Sequence, residues 1–369
     1  MPRRRVSSGR EKGERVTRST FEPRKSKRRI RATVIAVCIA TVVAAALALA
    51  STSRSARAPA SAQVAGADKV IVLIPKQTGD PFFADVRKGA TEAAKNLGYT
   101  IKYVGPATAD AAGQVSTIEN AIQLHPVAIT IAADDPNAVA PALKRAMQQG
   151  IAVSAYNADV RKDARSFFVS QASDEGIAEG IADTMAAQTG GKGHFLLVSS
   201  TATAPNQNLW NALAKKYMAK KYPKMKIDTI IFGNDDPATV LKITTSYLAA
   251  HKDITGIIVS GGGMSGAVKA EQRVGLDPHK VPVAGLCIPS DVKAQIHAGL
   301  IKNCVLWSPA DMGYATVYAI NAFLKKKLPL KGKGTLSAGK LGKLAIVNGT
   351  VTVGKPFVFT AKNIDQFHF

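Results

Sequence analysis

A short loop at the end of an apolar run combines charged and aromatic side chains in a way that suits the binding of a small polar molecule. Lys76 and Asp80 stand close in sequence to the adjacent rings of Phe82 and Phe83. Aromatic faces stack on the apolar face of a sugar ring, and polar groups pair with its hydroxyls. An alternative is that both rings only cover the edge of a domain. The loop alone leaves both interpretations open.

Comparable polar groups follow several other apolar runs, at 134–137, 156–159, 203–210, 260–261, 287–291 and 307–311. If these runs are parallel strands, their carboxyl ends reach one edge of each domain. Each cluster could also be a helix cap. Amides, carboxylates and an aromatic ring converging on one cleft can hold a polyol without reacting with it. The further candidate binding residues are Asp134, Asn157, Asn206, Gln207, Gly261, Cys287, Trp307 and Asp311.

Residues that could support catalysis are scattered. The histidines are isolated from one another and from ligand-spaced Cys, Asp or Glu, so the pattern indicates no metal site. Ser199 and Ser200 lack a Gly-x-Ser-x-Gly elbow, and no phosphate-binding Gly-x-x-x-x-Gly-Lys-Ser/Thr loop is present. The run 261–266 fits Gly-x-Gly-x-x-Gly, but the next strand ends without an acidic residue for a ribose hydroxyl. We therefore expect a binding protein without a cofactor, not an enzyme.

The elements that must position these residues alternate along the chain. Apolar runs predict strands at 70–74, 99–104, 127–132, 151–156, 194–199, 225–232, 255–260, 281–286 and 302–307. Helical periodicity lies at 82–97, 110–124, 137–149, 174–189, 207–222, 236–250, 264–274, 289–299 and 309–326. This pattern predicts an α/β fold with doubly wound parallel sheets, and about 300 residues suffice for two such domains.

Two segments interrupt the alternation. A short run at 167–174 predicts a crossing between domains, and the tail from about Lys327 changes to Gly/Lys loops with strands at 343–347, 350–353 and 356–359. We interpret the tail as an appended strap, not a third domain. Cys287 and Cys304 fall at the end of one predicted strand and the start of the next. Parallel neighbours place those points at opposite sheet ends, so we expect no disulfide between them.

The first 62 residues have the layout of an export signal. Residues 1–31 carry thirteen Lys or Arg and three Glu, and an uncharged apolar run follows at 33–50. Small-residue cleavage sites occur at 60–62 and 65–67. A cleaved signal is the favoured interpretation, and an uncleaved anchor is the alternative because the run reaches membrane-spanning length. Both interpretations place the rest of the chain in the periplasm.

The net charge of +23 would ordinarily raise nucleic acid as a partner. Much of that charge belongs to the leader. From Gln63 onward the chain holds 34 basic and 23 acidic residues, and its lysines are spread along helix faces without interleaved aromatics. We interpret them as a solvated basic surface and expect no nucleic-acid partner.

Several motifs of the chain resemble those of ribose-type periplasmic sugar-binding proteins, which are the solute receptors of ABC importers. The resemblance is greatest to the rhamnose and autoinducer-2 branch and covers nearly all of the chain after the leader. The matching segments are 74–76, 80–83, 113–115, 141–148, 206–210, 306–307 and 359–365.

The resemblance implies the type I periplasmic binding fold, with two lobes joined by three crossovers and closing on ligand like a hinge. The N-terminal lobe would comprise 68–170 and 288–327, and the C-terminal lobe 171–287 and 328–369 with the tail. It also implies docking of the closed form onto an inner-membrane ABC permease. We expect a monomer that binds a monosaccharide or polyol.

Carried over residue by residue, the resemblance assigns ligand oxygens to Lys76, pairing to Asp80, and stacking to Phe82 and Phe83. Four positions depart from the family pattern. Asn157 and Asn206 stand where acids are expected, Cys287 replaces an aspartate, and Gly261 replaces a polar residue. Fewer carboxylates favour a deoxysugar, a pentose or a polyol, or alternatively a ligand with its own carboxylate facing Lys76.

Two other roles use the same fold. A sensor ectodomain would bind sugar and transmit the signal to a chemoreceptor or a kinase, or it would bind an autoinducer-2-type signal. The sequence does not distinguish these roles from transport. A transcription repressor would need an N-terminal helix-turn-helix, and a basic segment with an apolar run occupies that place.

Overall fold

The computed structural model describes residues 69–369. The leader, its apolar run and the candidate cleavage sites lie outside these residues. Between 69 and 369, none of the helices combines the length and the apolar character that a membrane crossing requires.

Strands and helices alternate as the sequence predicts up to residue 326, except that 167–170, predicted as the start of a crossing segment, forms a further strand of the first sheet. In the tail, the strand at 333–337 was not predicted. The strands are β1 Val70–Ile74, β2 Thr100–Tyr103, β3 Ala128–Ile131, β4 Ala152–Tyr156, β5 Phe167–Ser170, β6 Lys192–Ser199, β7 Lys224–Phe232, β8 Gly256–Val259, β9 Val283–Gly285, β10 Cys304–Leu306, β11 Lys333–Ser337, β12 Lys343–Val347, β13 Thr350–Thr352 and β14 Phe357–Phe359. The helices are α1 Pro81–Leu97, α2 Ala111–Ile122, α3 Pro136–Gln148, α4 Asp174–Thr189, α5 Pro205–Lys221, α6 Pro237–Ala250, α7 Met264–Arg273, α8 Pro289–His297 and α9 Pro309–Leu324.

The first lobe is built on a sheet ordered β11-β12-β13-β5-β4-β3-β1-β2, in which β1 to β5 are parallel. Both faces of β1 are covered, which explains its uninterrupted apolar sequence. Ile71 and Leu73 share one core with helix α1, whereas Val72 and Ile74 share the other with α2 and α3. Helix α9 lies beside α1 and packs on β4 and β5.

The second lobe contains the parallel sheet β7-β6-β8-β9 together with α4 to α8. Strand β10 extends this sheet through a parallel bridge between Leu286 and Val305, and β14 pairs antiparallel with β10. The chain passes between the lobes three times: after β5, after β10 and after β13. A hinge of three crossovers agrees with the type I periplasmic binding fold.

The lobe boundaries differ from those predicted from the sequence. Residues 288–306 were predicted to lie in the first lobe, but α8 packs on α7 and β10 joins the second lobe. The tail was predicted to belong wholly to the second lobe. Instead β11, β12 and β13 continue the first sheet, because β13 pairs in parallel with the free edge of β5. Alternating apolar residues mark a strand without identifying its partner, so the pattern could not reveal this pairing.

The expectation that Cys287 and Cys304 stay apart is wrong. Their sulfur atoms form a disulfide, with the Cα atoms 5.7 Å apart. The prediction assumed that β9 and β10 lie side by side over their whole length. They are staggered instead, so the residues just after β9 meet the start of β10, and the Cys287 amide donates to the Val305 carbonyl.

Many of the loops that enter helices from the strand ends have fixed geometry. Six helices have proline in their first turn, where its missing N–H costs no hydrogen bond. In α1 the preceding Asp80 accepts a hydrogen bond from the Phe82 amide. The cap therefore fixes the orientation of the loop that carries Lys76 and the two phenylalanines.

Candidate ligand-binding site

A cavity lies between the two lobes at the carboxyl ends of their strands. Parallel α/β sheets bind ligands in this position. Its lining residues are Lys76, Asp80, Phe82, Phe83, Asn157, Asn206, Gln207, Trp210, Asp235, Gly261, Gly262, Leu286, Cys287, Ile288, Leu306 and Trp307.

Lys76 is the polar centre of the cavity. Its side chain extends from the end of β1 in the first lobe and is 1 % exposed. The ammonium group donates to Gln207 Oε1 at 2.9 Å and to Asn206 Oδ1 at 3.3 Å, both in the first turn of α5 in the second lobe. It also lies 3.8 Å from Asp235 Oδ2. A buried lysine needs such partners because an unpaired charge away from water is costly.

Asp235 connects three loops of the site. Its Oδ2 accepts a hydrogen bond from Ser200 Oγ, which follows β6, at 2.5 Å. Its Oδ1 accepts from the Gly262 amide, which follows β8, at 2.6 Å. In addition, Gln77 Nε2 donates to the Asp235 backbone carbonyl at 3.4 Å across the cleft. Asn234 and Asp235 both have left-handed φ values, near 55° and 54°, a region that Asn and Asp enter more readily than other L-residues.

Four aromatic rings form the apolar wall. Phe82 contacts Phe83 edge to face at 5.1 Å between ring centroids and Trp307 at 6.0 Å. Trp307 in turn contacts Trp210 at 5.4 Å. Edge-to-face contacts of this kind stabilise one arrangement of the rings. Phe82 and Phe83 lie in α1 of the first lobe, and Trp210 lies in α5 of the second lobe. Trp307 lies at a crossover between the lobes, so the wall spans the cleft.

The carboxyl group of Asp80 has an unusual environment. Burial, and secondly the charge of Asp235, raise the pKa of Asp80 to about 7. The charge of Lys76 and the hydrogen bond from the Phe82 amide oppose this rise without cancelling it. Near neutral pH the carboxyl can therefore donate or accept a hydrogen bond within the cavity.

Asn157 and Asn206 face each other across the cleft. Asn206 Nδ2 donates to Asn157 Oδ1 at 3.3 Å, and both side chains are buried. Asn157 follows β4 with a φ of 59°, in the left-handed region. Neutral amides at these two positions provide both donors and acceptors without adding charge.

Ten of the twelve residues predicted from the sequence line this cavity, and two do not. Asp134 is buried beside it, where its Oδ2 accepts from the Asp110 amide and its backbone carbonyl accepts from Thr203 Oγ1. Burial raises the pKa of Asp134 to about 7, and the nearby charge of Lys76 opposes that rise. Asp311 lies in the first turn of α9, where its amide donates to the capping Ser308 Oγ.

Sequence reasoning missed two residues with prominent positions in the site. Trp210 was part of a recognised polar cluster but was not selected. Asp235 was overlooked because the loop after β7 was left out of the set of polar strand ends. That loop reads Asn-Asp-Asp-Pro at 234–237, and an Asp-Pro pair likewise begins α1 at 80–81 and α3 at 135–136, so the signal was present.

Metal binding finds no support in the part of the chain that the structure describes, because no three His, Cys, Asp or Glu side chains are grouped to hold an ion. The glycine-rich run at 261–266 has a packing function. A side chain at Gly266 would meet the Pro237 carbonyl, so this glycine allows α6 and α7 to approach closely.

Comparison with known proteins places this geometry in context. A family described as "Periplasmic binding protein domain" matches residues 71–328. A sugar ABC transporter structure from Actinomyces odontolyticus is 32 % identical, with a TM-score of 0.66, and covers 82 % of this chain and 98 % of its own.

Two ligand-bound structures are also similar. LsrB from Clostridium saccharobutylicum in complex with AI-2 is 26 % identical, with a TM-score of 0.76 and coverage of 81 % of this chain and 100 % of its own. An ABC transporter solute-binding protein from Clostridium phytofermentas with bound L-rhamnose is 28 % identical, with a TM-score of 0.76 and coverage of 81 % and 98 %.

Proposed function

The chain belongs to the periplasmic binding protein domain family, and on that premise we propose that it is the extracytoplasmic sugar receptor of an ABC importer. The supporting observation is the cavity between the lobes, where an aromatic wall faces amides, carboxylates and one lysine contributed by both lobes. A ligand held by both lobes stabilises the closed form. Closure then presents the receptor to its permease.

The charge balance favours an uncharged ligand. The ammonium group of Lys76 is already accompanied by Asp235 at 3.8 Å, and Asp80 supplies a second carboxyl group. The cavity thus holds one positive charge against one or two negative charges. A sugar acid would bring a further carboxylate into this buried site without a free cation to pair with it. We therefore favour a neutral pentose, deoxyhexose or polyol over a sugar acid.

Location and partners follow from the same proposal. The disulfide between Cys287 and Cys304 suits an oxidising compartment outside the cytoplasm. We propose that the leader is a cleaved export signal and that the receptor acts as a monomer with an inner-membrane permease. Mass spectrometry of the exported protein and light scattering in solution test these two points. Peptides from the first 62 residues in the mature protein would contradict cleavage.

A thermal-shift screen followed by calorimetry tests the ligand class. The panel contains L-rhamnose, D-arabinose, D-ribose, D-xylose, ribitol, autoinducer-2 and D-glucuronate. A ligand that binds only the folded state raises the melting temperature, and we expect this from a neutral sugar or polyol but not from D-glucuronate. Binding of autoinducer-2 alone would favour the signal-binding alternative that the similarity to LsrB suggests. No stabilisation by any neutral sugar or polyol would contradict the proposal.

A further inference from the structure

The indole N–H of Trp307 is buried without a hydrogen-bond acceptor. The residue is 3 % exposed, and within residues 69–369 its Nε1 has no partner. The indole nitrogen can only donate. Buried donors in proteins are nearly always paired, because an unpaired one forfeits its hydrogen bonds to water. This donor therefore calls for an explanation.

The neighbouring tryptophan provides an internal comparison. Trp210 contacts Trp307 edge to face and lines the same cavity. Its Nε1 donates to Asp174 Oδ1 at 2.7 Å. The protein thus supplies an acceptor for one indole of the pair and none for the other, although both rings contribute to one aromatic wall.

Other buried polar atoms without partners lie elsewhere in the described chain. They belong to Tyr103, Asp134, Gln171, Asn211, Thr244 and Glu271, none of which lines the cavity. Trp307 is the residue at which an unpaired buried group and the cavity coincide. Its position at the second crossover, directly after β10, places it between the lobes, where a ligand would be enclosed.

We infer that Trp307 Nε1 donates a hydrogen bond to an oxygen atom of the bound sugar or polyol and thereby determines specificity at one ligand position. The inference rests on the proposed function. Phe82 and Trp210 contact the same indole, so this oxygen lies beside the aromatic wall. The ligand must carry a hydroxyl or ring oxygen at that point.

The chemistry of the donor defines what the site rejects. A methylene or methyl group in place of the oxygen leaves the N–H unpaired in the complex, and an ammonium group presents a donor to a donor. Loss of one such hydrogen bond weakens binding by roughly 5- to 150-fold. Discrimination between a sugar and its deoxy analogue at this single position is the expected signature.

Calorimetry on the mature protein tests the hydrogen bond. The probe is whichever of L-rhamnose, D-arabinose, D-ribose, D-xylose and ribitol raises the melting temperature most, together with its monodeoxy analogues. Trp307→Phe removes the N–H and keeps an aromatic ring. We expect this variant to bind the parent sugar roughly 5- to 150-fold more weakly. One deoxy analogue, the one that lacks the acceptor oxygen, is expected to bind wild type and variant about equally.

Trp210→Phe is the matched control, since the N–H that it removes is already paired within the protein. Its effect is expected to be uniform across the analogues. NMR provides a measurement that does not depend on Trp307→Phe folding. The chain contains two tryptophans, so ¹⁵N-Trp-labelled protein gives two indole signals, and the signal that remains in Trp210→Phe belongs to Trp307.

Sugar binding is expected to shift the Trp307 indole signal and slow its exchange with water. The inference is overturned if sugar binds while this signal keeps its exchange rate, or if both Phe variants weaken all analogues equally. If no sugar or polyol of the panel binds the wild-type protein, the proposed function fails and the inference falls with it. Binding to wild type without any Trp307 dependence overturns the inference alone.

Discussion

The ammonium nitrogen of Lys76 lies 3.8 Å from Asp235 Oδ2, and the two residues belong to different lobes. Lys76 follows β1, whereas Asp235 lies in the loop between β7 and α6. Both side chains are almost fully buried. We propose that a charge pair in this position contributes to closure and at the same time supplies polar groups to the ligand. Its removal therefore affects both binding and stability.

Lys76→Met is expected to weaken binding of a neutral sugar by at least about tenfold, because truncating one partner of a buried charge pair leaves the other uncompensated. Asp235 would keep its hydrogen bonds from Ser200 and Gly262 but lose its counter-charge. Calorimetry at pH 7.5 measures the change in affinity.

Lys88→Met is the control for Lys76→Met. Lys88 lies on α1 and is largely exposed, and within residues 69–369 it pairs with the buried carboxylate of Asp85 one turn away. Lys88 does not line the cavity, so sugar affinity is expected to stay within twofold of wild type. Unchanged affinity in Lys76→Met would show that Lys76 does not contact the ligand.

The raised pKa of Asp80 predicts a pH dependence of stability. Burial first, and the charge of Asp235 second, raise this pKa from 3.8 to about 7. An acid whose pKa is higher in the folded state binds a proton on folding, so stability is lost as the pH rises from about 4 to about 7. Asp80→Asn keeps an oxygen for the Phe82 amide and does not ionise. The melting temperature of this variant relative to wild type is expected to increase between pH 5 and pH 8.

Glu271→Gln distinguishes a pH effect on the stability of the protein from a pH effect on sugar binding in the cavity. Burial, and secondly the charge of Asp277, raise the pKa of Glu271 to about 8, and this residue does not line the cavity. Its replacement is expected to change the pH profile of the melting temperature and to leave the pH profile of sugar affinity unchanged.

A constant difference in melting temperature between Asp80→Asn and wild type from pH 5 to pH 8 would contradict the raised pKa of Asp80.

The disulfide between Cys287 and Cys304 is expected to stabilise the second lobe. It closes a loop with a sequence separation of 17 residues, and a loop of this length corresponds to about 3 kcal/mol. The double variant Cys287→Ser with Cys304→Ser is expected to lose roughly that free energy of unfolding in urea titrations. A reductant is expected to destabilise wild type and to leave the double variant unchanged. Equal sensitivity of both proteins would contradict a formed disulfide.

Most strands and helices from 70 to 326 could be predicted because the strands read as apolar runs between turn signals, and four of the nine helices of the described residues begin at Asp-Pro or Ser-Pro steps. Pairing over long sequence distances could not be predicted. Strand β13 joins β5 through backbone hydrogen bonds that any sequence of the right polarity can make. The stagger of β9 and β10, which brings Cys287 to Cys304, likewise depends on register and not on local pattern.

The candidate site was predictable to the extent that the fold delivers strand ends to one cleft. Lys76, Asp80, Phe82 and Phe83 come together because one capped loop carries them. Asp134 follows β3 in the same manner, yet its side chain caps backbone in the neighbouring loop and stays out of the cavity. Position at a strand end thus identifies candidates, whereas side-chain direction and the competing demand of capping decide between them.

Helices α1 and α9 approach so closely that each requires a glycine where it meets the other. A Cβ atom at Gly89 of α1 would collide with the Ala310 carbonyl, and one at Gly313 of α9 would collide with the Val86 carbonyl. Helix α1 carries Phe82 and Phe83, and α9 begins just after Trp307. The reciprocal contact therefore fixes the distance between two parts of the aromatic wall.

Gly313→Ala is accordingly expected to destabilise the protein by about 1–3 kcal/mol, the usual cost of overpacking. Helix propensity alone predicts the opposite, since alanine is favoured over glycine in a helix interior by about 1 kcal/mol. The sign of the change in urea unfolding thus distinguishes the two effects. Gly354→Ala is the control, because a Cβ atom there meets nothing within 4 Å.

We also expect Gly313→Ala to weaken sugar binding, since separating α1 from α9 moves the phenylalanines relative to Trp307. A stabilised Gly313→Ala protein with unchanged affinity would show that α1 and α9 accommodate the added Cβ atom without a change in the cavity.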